Sequence, residues 1–467
     1  MNNASTLGEA PDQLAPTDVL GRQARRVAIV TGVGAMIDYY DITVTGALSA
    51  TIWPILFFPS GSFAAAFATS AGVTFGMTLL ARPFGAAIFG HFGDRIGRKK
   101  TLIATLILAG IGTLGMAFAP TYHTAGSFGI ILIICCRVLF GLSMGGEMGG
   151  AISWTSESAE ASRTKRRGLF SGTLGIFSGV GVMVGAAFVL IISNIMPAAS
   201  YQSWGWRVLL FIATLILVIG GVARYWVNES PLFKDVKAKR DAAEVRKVPI
   251  VELLASQWRT VIIMSFIAVA GTVIVSLNTT FLAGYLKAAE VPFYSQNYFY
   301  MAMFIGGIGL TAVAAMAAHF ADVYGRRPTL LVTIIAAGVI GPIGLLLLLP
   351  SKDMVLIMLA AFLFELPVGG QGAFFSLYAE SFPTVYRQTG AGLTYQLSNL
   401  WEGLIFVELL PVIYKHYGIL GSVGPIAIIC VVAAILALLA LWYARETRGR
   451  ALESGLTPAE VSLANPS

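Results

Sequence analysis

A short polar turn occurs twice in this chain, each time between two long apolar runs. Residues 90–102 and 318–330 share one arrangement, in which a His-Phe pair is followed by Asp, then Gly, then Arg. The copies begin 228 residues apart, close to half of the 467-residue chain. Each turn must stay in water while its flanks are buried. Its duplication therefore predicts two halves with the same fold.

The apolar runs place the chain in a membrane. Hydrophobic residues make up 56% of the sequence and charged residues only 12%, against about 25% charged residues in a soluble domain. Many runs exceed the roughly 20 residues that cross a bilayer as a helix. They are continuous rather than alternating, which excludes a transmembrane β-barrel. The predicted class is an all-α membrane protein.

Twelve membrane spans are predicted, in two pseudo-symmetric six-helix bundles. We expect a flexible N-terminal tail (1–26), a first bundle (27–227), a linker (228–258), a second bundle (259–444) and a C-terminal tail (445–467). A charged loop from Glu157 to Arg167 is expected after span 4. Spans 1 to 12 are predicted at 27–53, 63–92, 101–119, 128–155, 168–196, 205–227, 259–286, 296–320, 329–349, 354–380, 389–414 and 421–444.

The basic residues predict the orientation. An even number of spans puts both termini on one side, and 25 of the 31 Lys and Arg lie in the tails and loops of that side. Such an excess is typical of the cytoplasmic side, so both termini are expected there. The net charge of +7 is thus explained by topology and does not predict nucleic-acid binding. Residues 1–23 lack the apolar core of a cleavable signal, and none is expected.

The twin turn, with five further pieces, resembles the major facilitator superfamily and within it the bacterial metabolite:proton symporters, which are related to the sugar porters. The resemblance implies twelve spans, alternating access, a bacterial inner-membrane location and a monomer. Asp38, Met148 and Pro328 depart from the pattern usual in this branch. The further pieces are residues 39–41, residues 82–83, residues 137–141 leading into 145–150, residues 229–231, and residues 380–384 before Arg387 and Gly390.

Ionisable groups inside spans are functional candidates, because burying a charge in lipid costs several kcal/mol unless it is answered. Asp41 in span 1 is the first candidate, since its proton affinity would change as a cation approaches or leaves. Arg137 in span 4 is the natural cation, and the resemblance implies the same pair. Asp41 is either a proton-coupling site or half of a static ion pair. Asp38 lies about one turn from Asp41 and either lines the cavity or bonds within the bundle.

Two further groups in the first half leave alternatives open. Glu147 stands among glycines that favour close helix packing, and it is a second candidate for proton coupling. Arg82 either meets an anionic substrate or forms a structural salt bridge. Tyr40 is a further candidate for substrate binding.

The second half offers amides and aromatic side chains at helical spacing. Grouped near the interface between the halves, such residues suit a small polar substrate, although each alone is more often a helix–helix hydrogen bond. Glu365 and Glu408 are either structural or functional. The candidate cavity residues are Asn278, Phe281, Tyr285, Gln371, Gln396, Asn399 and Glu402.

The two basic turns predict a gate. Asp94 suits the positive N-terminal end of a helix, and Arg95 and Arg98 suit carboxylates across the bundle. The resemblance implies that these contacts hold the cytoplasmic side shut, whereas the alternative is charge placement alone. The other expected members of the gate are Glu229, Asp322, Arg326, Arg327 and Arg387.

No cofactor, metal or enzymatic activity is expected. The sequence has no phosphate-binding Gly-Lys-Thr loop, and its four His and three Cys form no ligand cluster. We therefore expect proton-coupled uptake of a small organic acid anion, such as a dicarboxylate, a tricarboxylate or a cyclic or aromatic carboxylate. The alternatives are an uncoupled facilitator or exchanger and an osmolyte/proton symporter. A membrane enzyme or receptor is the third class.

Overall fold

The computed structural model describes residues 16–59, 66, 69–70, 72–162, 166–242, 248–288, 296–351 and 353–452. The described residues are helices joined by short turns, without a strand. Ten helices are long and apolar enough to cross a membrane. They are span 1 (Pro16–Thr51), span 2 (Gly72–Ile96), span 3 (Arg98–Ala117), span 4 (Ser127–Ala161), span 5 (Arg167–Ile195), span 6 (Ala198–Tyr225), span 8 (Gln296–Val323), span 9 (Arg326–Ser351), span 10 (Met354–Glu380) and span 12 (Val423–Tyr443).

Spans 7 and 11 are irregular. Span 7 joins Pro249–Ser265 to Val269–Ser276 with a bend of 49°, and then continues through a π-helical turn, Leu277–Phe281, to Ala288. Span 11 runs through Arg387–Leu404, Ile405–Leu409 and Leu410–Gly421. Its polar residues keep its hydropathy low, and its packing against span 2 identifies it as part of the bundle. The all-α fold with twelve spans is thus confirmed.

Three predicted boundaries are wrong, because helices extend into segments that were predicted as a tail, a loop and a linker. Span 1 begins at Pro16, inside the predicted flexible tail, with proline at a position that helix starts favour. Span 4 continues to Ala161, so Glu157 lies in a helix and not in a loop. The predicted linker contains the helix Pro231–Ala242, and span 7 begins at Pro249. The predicted start of span 2 and the outer parts of both tails lie outside the described residues.

The halves meet along two related helix pairs. Span 2 packs against span 11, and span 5 packs against span 8. The repeat relates span 2 to span 8, so the two contacts are equivalent under the internal symmetry. We call the end of the bundle that carries both repeated turns the basic end. The turns share one backbone feature, because Gly97 has φ 122° and Gly325 has φ 114°, values that favour glycine.

Candidate functional site

Asp41 and Arg137 form an ion pair inside the first half. The Arg137 Nη1 donates to Asp41 Oδ2 at 2.7 Å, and Nη2 donates to Oδ1 at 3.4 Å. Both residues are buried, and the Arg137 guanidinium also lies 5.7 Å from the ring of Trp53. The structure therefore joins spans 1 and 4 through the two residues that the sequence singled out. The part of the Asp41–Arg137 pair in proton coupling stays a prediction.

Asp38 and Arg82 form a second pair one helical turn away. Arg82 Nη2 donates to Asp38 Oδ1 at 2.5 Å and Nη1 donates to Oδ2 at 3.1 Å, which is a bidentate contact. Tyr395 and Glu402 of span 11 lie within electrostatic range of Arg82. Each arginine near the middle of the first half is thus neutralised by its own aspartate, and the second pair faces the other half.

Glu147 is paired with Arg224, a residue that the sequence analysis treated only as a basic residue near the membrane surface. Arg224 Nη1 donates to Glu147 Oε2 at 2.7 Å, and Thr105 donates to the same oxygen at 2.9 Å. All three side chains are buried. They join spans 3, 4 and 6 within one half, which favours a structural role for Glu147.

The second half holds two buried carboxyl groups without an ion pair among the described residues. Asn278 Nδ2 donates to Glu365 Oε1 at 2.7 Å, whereas Glu365 Oε2 has no hydrogen-bond partner. Glu402 accepts a hydrogen bond from the hydroxyl of Ser276. Both contacts are made by span 7 close to its π-helical turn. These two hydrogen-bonded carboxyl groups contrast with the three ion-paired carboxylates of the first half.

Amide side chains connect the two halves. Gln371 donates to the hydroxyl of Tyr39, and Gln396 Nε2 donates to the Met144 carbonyl at 3.2 Å. Asn399 then donates to Gln396 Oε1 at 2.6 Å. The structure therefore brings three of the expected cavity amides to the interface beside the Asp38 and Asp41 turn of span 1.

The aromatic candidates lie elsewhere. Tyr40 donates to the Leu209 carbonyl at 2.9 Å and packs edge-on against Phe188, so it points into the first bundle. Its expected place in the substrate cavity stays a prediction, which these contacts do not favour. Phe281 and Tyr285 contact each other and, through Phe281, Tyr414 of span 11. They form an aromatic cluster within the second half.

At the basic end, the first turn builds a cluster across the halves, the first charge cluster: Asp94, Arg98, Glu157 and Arg387. Arg98 Nη2 lies 3.1 Å from Asp94 and 3.0 Å from Glu157. Arg387 Nη1 donates to the same Glu157 oxygen at 2.9 Å. Asp94 accepts from the backbone N–H groups of Gln388 and Thr389 at 3.0 and 2.8 Å, at the N-terminus of span 11.

The second turn builds the equivalent second charge cluster: Asp322, Arg326, Glu380 and Arg167. Arg326 lies 3.2 Å from Asp322 and 2.8 Å from Glu380, and Arg167 Nε lies 3.3 Å from Glu380. Asp322 accepts from Gly168 N and Leu169 N at 2.8 and 2.9 Å, at the N-terminus of span 5. Each half therefore caps a helix of the other half.

Two glutamates complete the clusters from outside the spans. Glu229 accepts from Lys99 N at 3.0 Å, and Glu446 accepts from Arg326 N and Arg327 N at 3.0 and 2.9 Å. Burial raises the pKa of Glu229, although Arg98 opposes the rise. Burial acts in the same direction on Glu446, but four backbone N–H donors outweigh it and leave the pKa of Glu446 below its ordinary value.

Not every expected gate residue takes part. Arg95 is exposed and forms no ion pair with the described part of the chain. Sequence reasoning missed Glu157, Arg167, Glu380 and Glu446 as members. Glu157 and Glu380 occupy equivalent places near the ends of spans 4 and 10, so aligning the halves would have found them.

A family model described as sugar (and other) transporter matches residues 27–455. The chain belongs to this family. The match confirms the resemblance to the major facilitator superfamily. The protein is therefore a transporter rather than an enzyme. Within the described residues no group of His, Cys, Asp and Glu could hold a metal ion.

Three known proteins are similar to this chain over most of their length. The inner membrane metabolite transport protein YhjE of Escherichia coli K12 is 31% identical, over 85% of this chain and 89% of that protein. The shikimate transporter of the same organism is 29% identical, over 82% and 86%. A structure of the proton:xylose symporter XylE bound to 6-bromo-6-deoxy-D-glucose has a TM-score of 0.70 at 17% identity, over 93% and 98%. This last likeness concerns the fold.

Proposed function

We propose that this transporter imports a small organic acid anion together with protons by alternating access. The observation that carries the proposal is the buried Asp41–Arg137 pair, at 2.7 Å, in the first half. A carboxylate and a guanidinium that neutralise each other in a membrane span are stable together. When one of the two charges is removed, the other is left unpaired inside the span and needs a new partner.

The pair suggests how proton and anion are linked. Protonation of Asp41 removes its charge and leaves the Arg137 guanidinium without its counter-ion. A substrate carboxylate then restores neutrality, because a guanidinium binds carboxylates through two parallel hydrogen bonds. Proton and anion thus favour each other's binding, and the Asp38–Arg82 pair can act in the same way.

The substrate class follows from the polar groups around this region. Gln371, Gln396 and Asn399 offer donors and acceptors at the interface between the halves. Such groups suit a compact carboxylate with hydroxyl or keto groups, and shikimate, which a 29% identical relative transports by name, is one such acid. Dicarboxylates, tricarboxylates and other cyclic acids belong to the same class.

We place the basic end in the cytoplasm of a bacterial inner membrane. The excess of Lys and Arg at this end supports that orientation, with both termini inside. The two charge clusters then act as the cytoplasmic gate, because they join the halves there and must break when that side opens. Each bundle contributes to both clusters, so one chain suffices and a monomer is proposed.

Reconstituted vesicles test the proposal. Uptake of labelled shikimate and of a panel of other carboxylates is measured with and without an inward proton gradient and a protonophore. We expect accumulation that requires the gradient and that is lost in Asp41→Asn, whereas Glu408→Gln, an exposed carboxyl group on span 11, retains it. Full gradient-driven accumulation by Asp41→Asn would refute the coupling role of this residue.

A zwitterionic osmolyte is the second candidate substrate. Each central arginine is already neutralised by an aspartate, so the site has no surplus positive charge, which suits a ligand with both charges. Including glycine betaine and proline in the uptake panel separates the two classes. Uptake of a substrate to the same level with and without the proton gradient would favour the uncoupled facilitator or exchanger instead.

A further inference from the structure

An open apolar groove runs along the outer face of the first half, between spans 3 and 6. Its volume is about 660 Å³, and its walls are aliphatic from Ile103 to Leu114 on span 3 and from Leu217 to Val222 on span 6. It opens sideways from the bundle and is separate from the polar interface between the halves. A groove of this volume is large enough for a specific ligand.

Two glycines, which carry no side chain, create the groove. A Cβ atom added at Gly110 would meet no atom within 4 Å, and one added at Gly221 would meet only Leu106, at 3.9 Å. Glycines in spans more often allow close helix contact. Here they leave space that faces the lipid.

The length of the groove matches one leaflet. From Ile103 to Leu114 a helix rises about 16 Å. The hydrocarbon core of a bilayer is about 30 Å thick, so one leaflet contributes about 15 Å. The groove starts five residues after Arg98, the first residue of span 3 at the basic end, and stops three residues before Ala117, the last residue of this span. It therefore has the reach of one acyl chain.

A basic cavity opens at the mouth of this groove. Its volume is about 250 Å³, and its lining includes Arg22 and Arg26 of span 1 together with Trp226 and Asn228. Trp226 also lines the apolar groove, so the two spaces are neighbours on either side of this residue's contacts. Gln23 Nε2 donates to the Asn228 carbonyl at 3.5 Å and ties the start of span 1 to the end of span 6.

Two arginines at the mouth of the groove have no counter-ion among the described residues. Arg22 and Arg26 are exposed, lie one turn apart, and form no ion pair with any other residue that the structure describes. Trp226 is 78% exposed, as expected of a tryptophan at the level of lipid headgroups. Lys99 adds a third cation near the groove, because its Nζ donates to the Tyr225 carbonyl at 2.6 Å.

We propose that these two spaces form one binding site for an anionic phospholipid of the leaflet at the basic end. One acyl chain occupies the apolar groove, and the phosphate headgroup lies between Arg22 and Arg26. An apolar slot of leaflet length with two unpaired arginines at its mouth matches the two parts of such a lipid. A soluble anion would leave the groove unused, and a neutral lipid would leave the arginines unanswered. The site does not depend on the proposed transport reaction.

Native mass spectrometry of the purified full-length protein tests the site. The protein is titrated with phosphatidylglycerol and with phosphatidylcholine of the same acyl chains. We expect tighter binding of phosphatidylglycerol, and a loss of about fivefold for each of Arg22→Gln and Arg26→Gln, which is about 1 kcal/mol per arginine near a lipid surface. Gly110→Leu fills the groove and should weaken binding of both lipids.

Matched variants separate this site from general surface effects. Arg25→Gln removes an exposed arginine of the same helix that does not line the cavity. Gly424→Leu adds the same side chain at a half-buried glycine of span 12 that, like Gly110, has open space around it. Both controls should bind phosphatidylglycerol like the unchanged protein, and thermal denaturation confirms that all variants are folded.

Four outcomes would overturn the proposal. Equal binding of the two lipids would remove the headgroup site, and an equal loss in Arg25→Gln would reduce it to diffuse surface charge. Competition by glycerol 3-phosphate with no effect of Gly110→Leu would make it a site for soluble anions. Much tighter lipid binding by a chain lacking residues 1–15 would make that polar segment the occupant.

Discussion

At the residue scale, identical chemistry serves different ends in spans 1 and 4. Asp41–Arg137 and Glu147–Arg224 are both buried carboxylate–guanidinium pairs, at 2.7 Å in each case. The first lies beside the turn of span 1 whose Tyr39 meets the other half through Gln371. The second is enclosed by spans 3, 4 and 6 of one half. Position relative to the interface between the halves therefore distinguishes a candidate coupling pair from a structural one.

The Glu147–Arg224 pair gives the first prediction. Glu147→Leu leaves the buried Arg224 without its counter-ion, and we expect a loss of about 3–5 kcal/mol in the free energy of unfolding. Glu147→Leu combined with Arg224→Leu should recover most of this loss. Reversible unfolding in mixed micelles measures both. The double variant should keep gradient-driven uptake, and loss of coupling in a stable double variant would return Glu147 to the proton-coupling candidates.

At the element scale, the repeated turn is a compact device for placing three groups. The positive φ of Gly97 and Gly325 lets one helix end and the next begin after one residue in the first turn and two residues in the second. The aspartate before the glycine then faces a helix N-terminus of the other half, and the arginine after it faces a glutamate of its own half. These contacts explain why Asp, Gly and Arg recur at the same spacing in both turns. Charge placement on the cytoplasmic side alone would not require that spacing.

Gly325→Ala tests this backbone requirement. A residue with a Cβ at this φ of 114° and ψ of 163° costs about 1–3 kcal/mol, and the added atom would also lie 2.8 Å from Glu446 Oε2. We expect a lower thermal denaturation midpoint than in Gly449→Ala, where φ is 78° but the surroundings are open. Gly424→Ala, with neither constraint, should be near neutral. Equal midpoints for all three variants would contradict the proposed role of the turn.

At the scale of the whole molecule, two equivalent clusters join the halves at the basic end. Glu157 is central to one of them, because a single oxygen accepts from Arg98 of the first half and Arg387 of the second. Glu160 provides a contrast, since it meets Arg167 at 3.1 Å within the first half. Loss of the Glu157 charge should therefore favour separation of the halves, whereas loss of the Glu160 charge should not.

Distance measurements test this expectation. Spin labels are attached to Arg95→Cys and Tyr324→Cys, which are exposed positions in the two turns, in a background without the native cysteines. Glu157→Gln should shift the populations about tenfold, or about 1.4 kcal/mol, toward the longer distance. Glu160→Gln is the control. An unchanged distribution in Glu157→Gln would show that the first charge cluster does not hold the basic end closed.

The outer glutamates predict opposite pH dependences at equivalent places. The pKa of Glu446 is lowered on folding, so its contribution to stability is present above its ordinary pKa of 4.5 and is lost as the pH falls through the folded value. The pKa of Glu229 is raised, so its contribution is present below 4.5 and is lost as the pH rises through the folded value. Denaturation midpoints of Glu446→Gln and Glu229→Gln, each subtracted from the unchanged protein across the pH range, should slope in opposite directions. Parallel slopes would refute the assignment.

Sequence alone determined the properties that depend on local composition and on the repeat. Runs of apolar residues long enough to cross a bilayer can satisfy their backbone only as helices, and a turn that occurs twice requires two similar halves. The pairing of Asp41 with Arg137 was also predictable, because the resemblance supplied it. Helix ends were less predictable, since helical hydrogen bonding continues into polar segments, as in residues 16–26 and at Glu157.

Only the tertiary structure decided which charge meets which. Asp38 finds Arg82 at a separation of 44 residues, Glu147 finds Arg224 at 77, and Glu157 finds Arg387 at 230. These choices depend on how each helix is rotated about its axis and on which helices pack together, and neither is fixed by spacing along the chain. The same packing turns Tyr40 away from the interface and opens the groove at Gly110. A polar side chain in a membrane is sorted by its neighbours in space, because only a partner there can offset the cost of leaving water.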